Sequence, residues 1–126
     1  MRDLSNRTDI EIFVRSFYDR VKKDELLGPI FNDIAKVDWE KHLPVMFDFW
    51  EFTVLGTAVY SGNAMAPHFE LHKKTPLSPE HFARWLQIFN STADALFAGE
   101  NTELMKSKAN NIAGLMEYKL NSVFRN

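Results

Sequence analysis

Residues His42–Trp50 read His-Leu-Pro-Val-Met-Phe-Asp-Phe-Trp, and the fold class is predicted from this stretch. Apolar side chains recur at offsets of three and four residues, from Trp39 through Met46 to Val54. This spacing predicts an amphipathic α-helix with a strongly aromatic buried face, and His42 lies on that face. From this segment alone, His42 is either a core residue whose ring nitrogens are satisfied locally or part of a buried pocket. The first alternative is the commoner one.

The start of this helix depends on Pro44. Proline has no backbone N–H and costs about 3 kcal/mol in a helix interior. Asp38 has a side chain suited to cap a helix that begins directly after it. A start nearer His42 instead places Pro44 in the first turn, where the missing donor is harmless. We therefore expect regular helix from near His42, with Gly56 as its end.

The N-terminal part of the chain predicts a helix followed by a sharp turn. Thr8–Glu11 has the form of a capping box, and apolar residues repeat with helical spacing from Ile10 to Val21. Tyr18 lies beside this apolar stripe, where a boundary residue with its hydroxyl in water is an even alternative to a functional role. Leu26–Phe31 contains Gly-Pro between apolar residues, so we expect a turn and then a short helical segment through Phe31.

The C-terminal part predicts two more helices. The first begins with Ser78 as its cap and Pro79 in its first position, carries Trp85 on a wide apolar face, and ends before Gly99. On spacing alone, Trp85 is a bulky core residue whose indole N–H donates to a carbonyl. The second begins with Asn101 as its cap and continues to near the C-terminus.

The composition limits the classes of function. A chain of 126 residues predicts one domain, spanning residues 1–126. Eleven Phe, three Tyr and three Trp supply large apolar surfaces that suit a flat ligand. The net charge of −2, with acids and bases interspersed, argues against nucleic acid and anionic membranes as partners. Because cysteine is absent, disulfides, thiol chemistry and iron–sulfur clusters are excluded.

The sequence has no apolar run of about 18 residues and no charged-then-apolar leader. We therefore expect a cytoplasmic protein that does not span a membrane.

The histidines are the candidate metal ligands. His42 and His68 are too far apart in sequence for a local zinc pattern. If the chain after Pro67 is helical, His68 and His72 share a face and form a pair able to bind a transition metal. That interpretation is the weaker one because no third ligand stands nearby, and stable sites normally need three or four protein ligands.

Several short motifs lie along the chain in an order and spacing that are specific together. They are Phe17-Tyr18, Leu27-Gly28-Pro29-Ile30-Phe31, the His42–Trp50 stretch, Leu55-Gly56-Thr57, Tyr60-x-Gly62, His68 and Phe82-x-x-Trp85-Leu86. In this order the chain resembles a group III truncated haemoglobin. The resemblance covers nearly the whole length and implies an all-α truncated globin fold, in which helices enclose haem b in a two-over-two sandwich.

The resemblance also implies roles for particular residues. His68 matches the proximal histidine, which is the one protein ligand of the haem iron. Tyr18, His42 and Trp85 match the distal residues: the Tyr18 hydroxyl and the Trp85 indole N–H match hydrogen-bond donors to bound dioxygen, and His42 matches the residue at the pocket mouth. The remaining matched positions pack on the haem or support that packing: Phe31, Met46 and Trp50.

The resemblance leaves the other candidates open. His72 and His81 match no ligand position and are interpreted as surface or boundary residues. Lys73 and Lys74 are candidates for the haem propionates, without a motif that assigns them.

The implied function is binding of dioxygen, nitric oxide and carbon monoxide at a pentacoordinate or switchable haem iron, with tight oxygen binding through the distal donors. The alternative is an enzyme, either a nitric oxide dioxygenase or a haem peroxidase. It would need an external reductase, because the chain has no flavin or nicotinamide motif. A third hypothesis is an interaction module that has lost haem, against which the intact His68 speaks. We expect a monomer.

Overall fold

The computed structural model describes residues 1–57, 60 and 77–124, with side chains up to Leu120. It contains helix α1 (Arg7–Lys23), a π-helical turn (Ile30–Ile34) and helix α2 (Trp39–Trp50), which continues into a π-helical segment (Glu51–Leu55). Helices α3 (Pro79–Leu96) and α4 (Glu100–Phe124) follow. Every element in these ranges is helical, which confirms the all-α prediction.

The helices form two pairs. Helix α1 packs against α2, and α3 packs against α4. The pairs meet where α1 contacts α3 and where the Glu51–Leu55 segment contacts α4. None of the helices within the described ranges is long and apolar enough to cross a membrane.

Aromatic rings from three helices form the centre of the core. Phe13 and Phe17 of α1 and Phe89 of α3 are each at most 1% exposed. Phe89 meets Phe13 edge to face with 4.7 Å between ring centroids, and meets Phe17 in the same way at 5.1 Å. Trp50 of α2 lies 5.0 Å from Phe89. Edge-to-face contacts place the positive ring edge on the negative ring face, so they add to the burial that holds α1, α2 and α3 together.

Helix α1 begins earlier than the sequence predicted. Asn6 is the N-cap, and its side-chain oxygen accepts the Asp9 N–H at 3.0 Å. Thr8 therefore lies inside the first turn, and the predicted capping box at Thr8–Glu11 is wrong. The Asp9 carboxylate binds the Arg2 guanidinium and the Ser5 N–H, so the N-terminal arm fixes the true start of the helix.

Helix α2 also begins earlier than expected, at Trp39. The Asp38 carbonyl accepts the His42 N–H at 2.8 Å, so the helix is already formed there and the expected start nearer His42 is wrong. Pro44 lies inside the helix. Its missing N–H leaves the Glu40 carbonyl without its usual helical donor. Both residues are exposed, so the lost bond falls on the solvent side of the helix.

Two predicted breaks are confirmed. Gly56 follows the Glu51–Leu55 segment with φ +71°, and its N–H donates to the Glu51 carbonyl at 3.0 Å. This left-handed conformation suits glycine, which ends the helix as expected. The predicted turn at Leu26–Phe31 leads into the short π-helical turn, and the Asp24 carboxylate accepts the Leu27 N–H at 3.0 Å to hold it.

The starts of α3 and α4 differ in how far they could be predicted. Ser78 caps α3 with Pro79 in the first position, as expected, and the Ser78 N–H donates to His81 Nδ1 at 2.9 Å. Asn101 is not the cap of α4, contrary to the prediction. The Asp3 carboxylate accepts the Asn101 N–H at 2.8 Å, across 98 residues of sequence, and a side chain at Gly99 would collide with it.

Candidate functional site

Tyr18 lies at the centre of an aromatic cluster between α1 and α2. Its side chain is 6% exposed and points from α1 towards the first turn of α2. Its ring centroid lies 5.2 Å from that of Trp39, 5.3 Å from His42, 4.9 Å from Phe17 and 6.2 Å from Phe31. Burial raises the pKa of the Tyr18 hydroxyl well above its usual value, so the group keeps its proton at neutral pH. Tyr18 is therefore a protonated phenol, able to donate a hydrogen bond, within an aromatic cluster.

His42 reaches this cluster because α2 begins at Trp39. Residues three apart on a helix lie on one face, so Trp39 and His42 both face α1. The two rings lie 5.6 Å apart at 81°, and His42 meets Tyr18 edge to face at 76°. His42 is partly exposed. His42 thus lies between the buried Tyr18 ring and the solvent.

Trp85 joins the same region from α3 through Phe17. Its ring meets Phe17 edge to face at 5.5 Å and stacks against Phe89 at 5.2 Å. Phe17 also contacts Tyr18, at 4.9 Å. The two predicted donors therefore both contact one fully buried ring.

The other predicted site residues in the described ranges lie around these rings. Phe31, in the π-helical turn, stacks against Trp39 at 6.1 Å and 21°. Met46 is partly buried and packs against the main core. Trp50 is 3% exposed and contacts Phe89, so it supports the junction of α2 with α3.

Four predicted residues lie outside the described residues: His68, His72, Lys73 and Lys74. The proximal role of His68 and the proposed propionate partners stay predictions. Within the part of the chain that the structure describes, no three His, Asp or Glu side chains converge in a group able to hold a metal ion. His81, expected at the surface or boundary, is partly buried and belongs to the cap of α3.

One contributor to the site, Trp39, and one buried carboxylate at the other end of α2 were not singled out from the sequence. Trp39 was placed on the apolar face of α2, but its contact with Tyr18 depends on the packing of α1 on α2. The spacing of Trp39 and His42 is the signal that places both on one face. The carboxylate is Glu51, which is 7% exposed and accepts from Arg7 at 2.9 Å and from Thr57 Oγ1 at 2.7 Å.

The sequence and structure were compared with known proteins. A family model described as bacterial-like globin matches residues 4–119. The chain belongs to this globin family. Group 3 truncated hemoglobin ctb of Campylobacter jejuni is 30% identical over 111 residues, covering 86% of this chain and 85% of that protein. The crystal structure of group III truncated hemoglobin from Campylobacter jejuni matches with a TM-score of 0.81 at 29% identity, covering 95% of each chain.

These matches confirm the truncated globin fold and the resemblance to group III truncated haemoglobins. Membership of the globin family implies a haem cofactor and a small ligand such as oxygen. The side chains of this globin fit that cofactor. Aromatic rings supply apolar walls for a flat macrocycle, and Tyr18 and Trp85 place a phenol and an indole among them.

Proposed function

We propose that this globin binds dioxygen, nitric oxide and carbon monoxide at a haem b whose iron is held by His68. Haem, when bound through one histidine, supplies an iron that is pentacoordinate or switchable and accepts a diatomic ligand on its open side. The observation that carries the proposal is the 5.3 Å contact between the buried Tyr18 ring and His42. A proton donor and an imidazole thereby lie next to each other in one aromatic cluster.

Tyr18 acts as a hydrogen-bond donor to the ligand. Its hydroxyl keeps its proton because burial raises its pKa. In apolar surroundings a hydrogen bond is stronger than in water, since fewer solvent dipoles compete with it. The indole N–H of Trp85 can only donate, so it adds a second bond of the same sense. We expect these donors to slow oxygen release and to give tight binding.

His42, Phe31 and Met46 shape the pocket around those donors. His42 is partly exposed and adjacent to Tyr18, so rotation of its imidazole would alter both the entrance and the number of donors. Phe31 and Met46 pack on the macrocycle, and Trp50 holds α2 against α3 behind them. The partly buried positions of Phe31 and Met46 support this assignment.

The first test is an absorption spectrum of the purified protein, expressed with haem supplied. Spectra are recorded in the ferric, dithionite-reduced and carbon monoxide forms. We expect a strong near-ultraviolet haem band that shifts on reduction and shifts again with carbon monoxide. A protein that never takes up haem stoichiometrically would contradict the proposal.

Nitric oxide dioxygenation and peroxidase chemistry are the alternative functions of the same pocket. Both use polar groups beside the ligand, and the pairing of Tyr18 with His42 supplies them. Both also require an external reductase to restore ferrous iron. Consumption of nitric oxide over many turnovers with a cellular reductant would favour the enzyme, whereas a single stoichiometric reaction would favour the binding protein.

A further inference from the structure

Trp39 forms part of the outer wall of the Tyr18 cluster. It is partly exposed, whereas Tyr18 behind it is 6% exposed. Its ring contacts Tyr18 at 5.2 Å, His42 at 5.6 Å and Phe31 at 6.1 Å. A displacement of this one side chain would therefore uncover the donor and the imidazole together.

Lys22 also contacts the Trp39 ring. Its ammonium nitrogen lies 4.4 Å from the ring centroid, within the range of a cation–π interaction. Lys22 follows Tyr18 by four residues on α1, so both side chains lie on the face that meets α2. Helix α1 thus holds Trp39 at two points, through the Tyr18 ring and through the Lys22 charge.

The backbone before Trp39 is a place where the chain can move. Trp39 is the first residue of α2, and the Asp38 side chain makes no capping hydrogen bond to it. Lys36 has φ +51°, a left-handed conformation that is unfavourable for a long side chain. Helix ends open more readily than helix centres, especially without a side-chain cap. The position of the first turn therefore depends strongly on the contacts of the Trp39 ring.

We propose that Trp39, held closed by Lys22, is a gate that limits the rate at which small ligands reach and leave Tyr18 and His42. This inference rests on the proposed ligand-binding function, since a gate needs a ligand site behind it. A gate changes entry and exit by the same factor, because it changes a barrier and not the bound or free state. A hydrogen-bond donor such as Tyr18 instead changes the exit rate and the affinity.

The test measures carbon monoxide association by flash photolysis and dissociation by ligand replacement, on haem-loaded protein. For Trp39→Ala we expect both rate constants to rise on the order of tenfold with the affinity unchanged, since three ring contacts of the closed position are lost. Lys22→Met should raise both about two- to fivefold, as expected for one cation–π contact. Lys23→Met removes the neighbouring exposed charge and should leave both rates unchanged.

A second readout follows the accessibility of Tyr18. Tetranitromethane nitrates exposed tyrosines, and with no cysteine in the chain no thiol competes for it. In the wild-type protein, mass spectrometry should find nitration at Tyr118, which is 71% exposed, and protection at Tyr18. Trp39→Ala should increase nitration at Tyr18 and leave Tyr118 unchanged.

The outcomes separate the gate from the proposed function. If wild-type protein takes up no haem, the absorption spectrum reveals this before any rate is measured, and both proposals fail. If haem-loaded Trp39→Ala keeps wild-type rates, the gate alone is overturned. A change confined to the dissociation rate would also overturn it, because Trp39 would then act on the bound ligand. Should Trp39→Ala not fold, wild-type rates in both Trp39→Phe and Lys22→Met would overturn it equally.

Discussion

Replacing Tyr18 by Phe removes one hydroxyl and keeps the ring contacts with Phe17, Trp39 and His42. The side chain is 6% exposed, so the change takes place where water cannot substitute for the lost donor. A hydrogen bond to a group bearing charge contributes about 1.5–3 kcal/mol, and each 1.36 kcal/mol corresponds to a factor of about ten in rate. We therefore expect oxygen dissociation to become about 10- to 100-fold faster.

The assay is stopped-flow replacement of dioxygen by carbon monoxide in haem-loaded protein. The association rate constant should change far less, because the hydroxyl acts on the bound ligand. Tyr118→Phe is the matched control: it removes the same atom from a side chain on α4 that is 71% exposed, and should leave the rates unchanged. The donor role of Tyr18 would be refuted if Tyr18→Phe released oxygen at the wild-type rate while binding haem fully.

The raised pKa of Tyr18 adds a pH test to the same measurement. Burial disfavours the charged phenolate, so the pKa shifts upward and the proton stays in place below the usual tyrosine pKa of about 10. Oxygen dissociation should therefore show no step attributable to Tyr18 between pH 6 and about 10. A step that is absent in Tyr18→Phe would mean that the hydroxyl ionises within that range, and the apolar environment would have to be rejected.

The other predictions concern the remaining donor, the haem ligand and the N-terminal arm. Trp85→Phe should raise oxygen dissociation about 10- to 100-fold in the same assay, since its N–H donates to the same ligand as the Tyr18 hydroxyl, and an unchanged rate would remove its donor role. His68→Ala should greatly reduce haem retention in the absorption spectrum while circular dichroism still reports helix; full occupancy would contradict the proximal assignment. Asp9 is 1% exposed, and the Arg2 guanidinium lowers its pKa from 3.8 to about 2. The ionised Asp9 therefore stabilises the folded protein fully above about pH 4, and this stabilisation is lost as the pH falls through 2. Because Arg2 is 63% exposed, Asp9→Asn should lower the free energy of unfolding at pH 7 by only about 1–2 kcal/mol in urea titrations, with exposed Asp19→Asn as the neutral control.

The helices themselves were predictable because the signals are local. The 3.6-residue period, the Ser78-Pro79 start and the Gly56 end each act within one or two turns of the residues that carry them. The starts of α1 and α4 were not predictable in the same way. The cap of α4 comes from Asp3, which is 98 residues distant from Asn101, and that contact exists only after the chain has folded.

For the candidate site, too, the local sequence predicted the placement of single residues but not the contacts between distant ones. The spacing of Tyr18, His42 and Trp85 placed each on or beside an apolar face, where a core role was always the competing interpretation. The family resemblance, not the period, singled out these three. The structure adds the contacts around them: His42 contacts Tyr18, and Phe17 contacts both Tyr18 and Trp85. The proximal side, with His68, lies outside the described residues and stays a prediction.

The contacts between α1 and α2 are unequal at the two ends of the interface. At one end, Arg7 near the start of α1 donates to Asp48 at 2.8 Å and to Glu51 at 2.9 Å, and Glu51 is 7% exposed. At the other end, the Lys22 ammonium near the end of α1 makes a cation–π contact with Trp39 in a partly exposed position, beside the ring contacts of Tyr18. An ion pair with a nearly buried carboxylate resists displacement more than one cation–π contact near solvent does. The charged contacts between α1 and α2 are therefore firmer at the Glu51 end of α2 than at the Trp39 end. If α2 moves, we expect the movement to be concentrated at the Trp39 end, where the proposed gate lies.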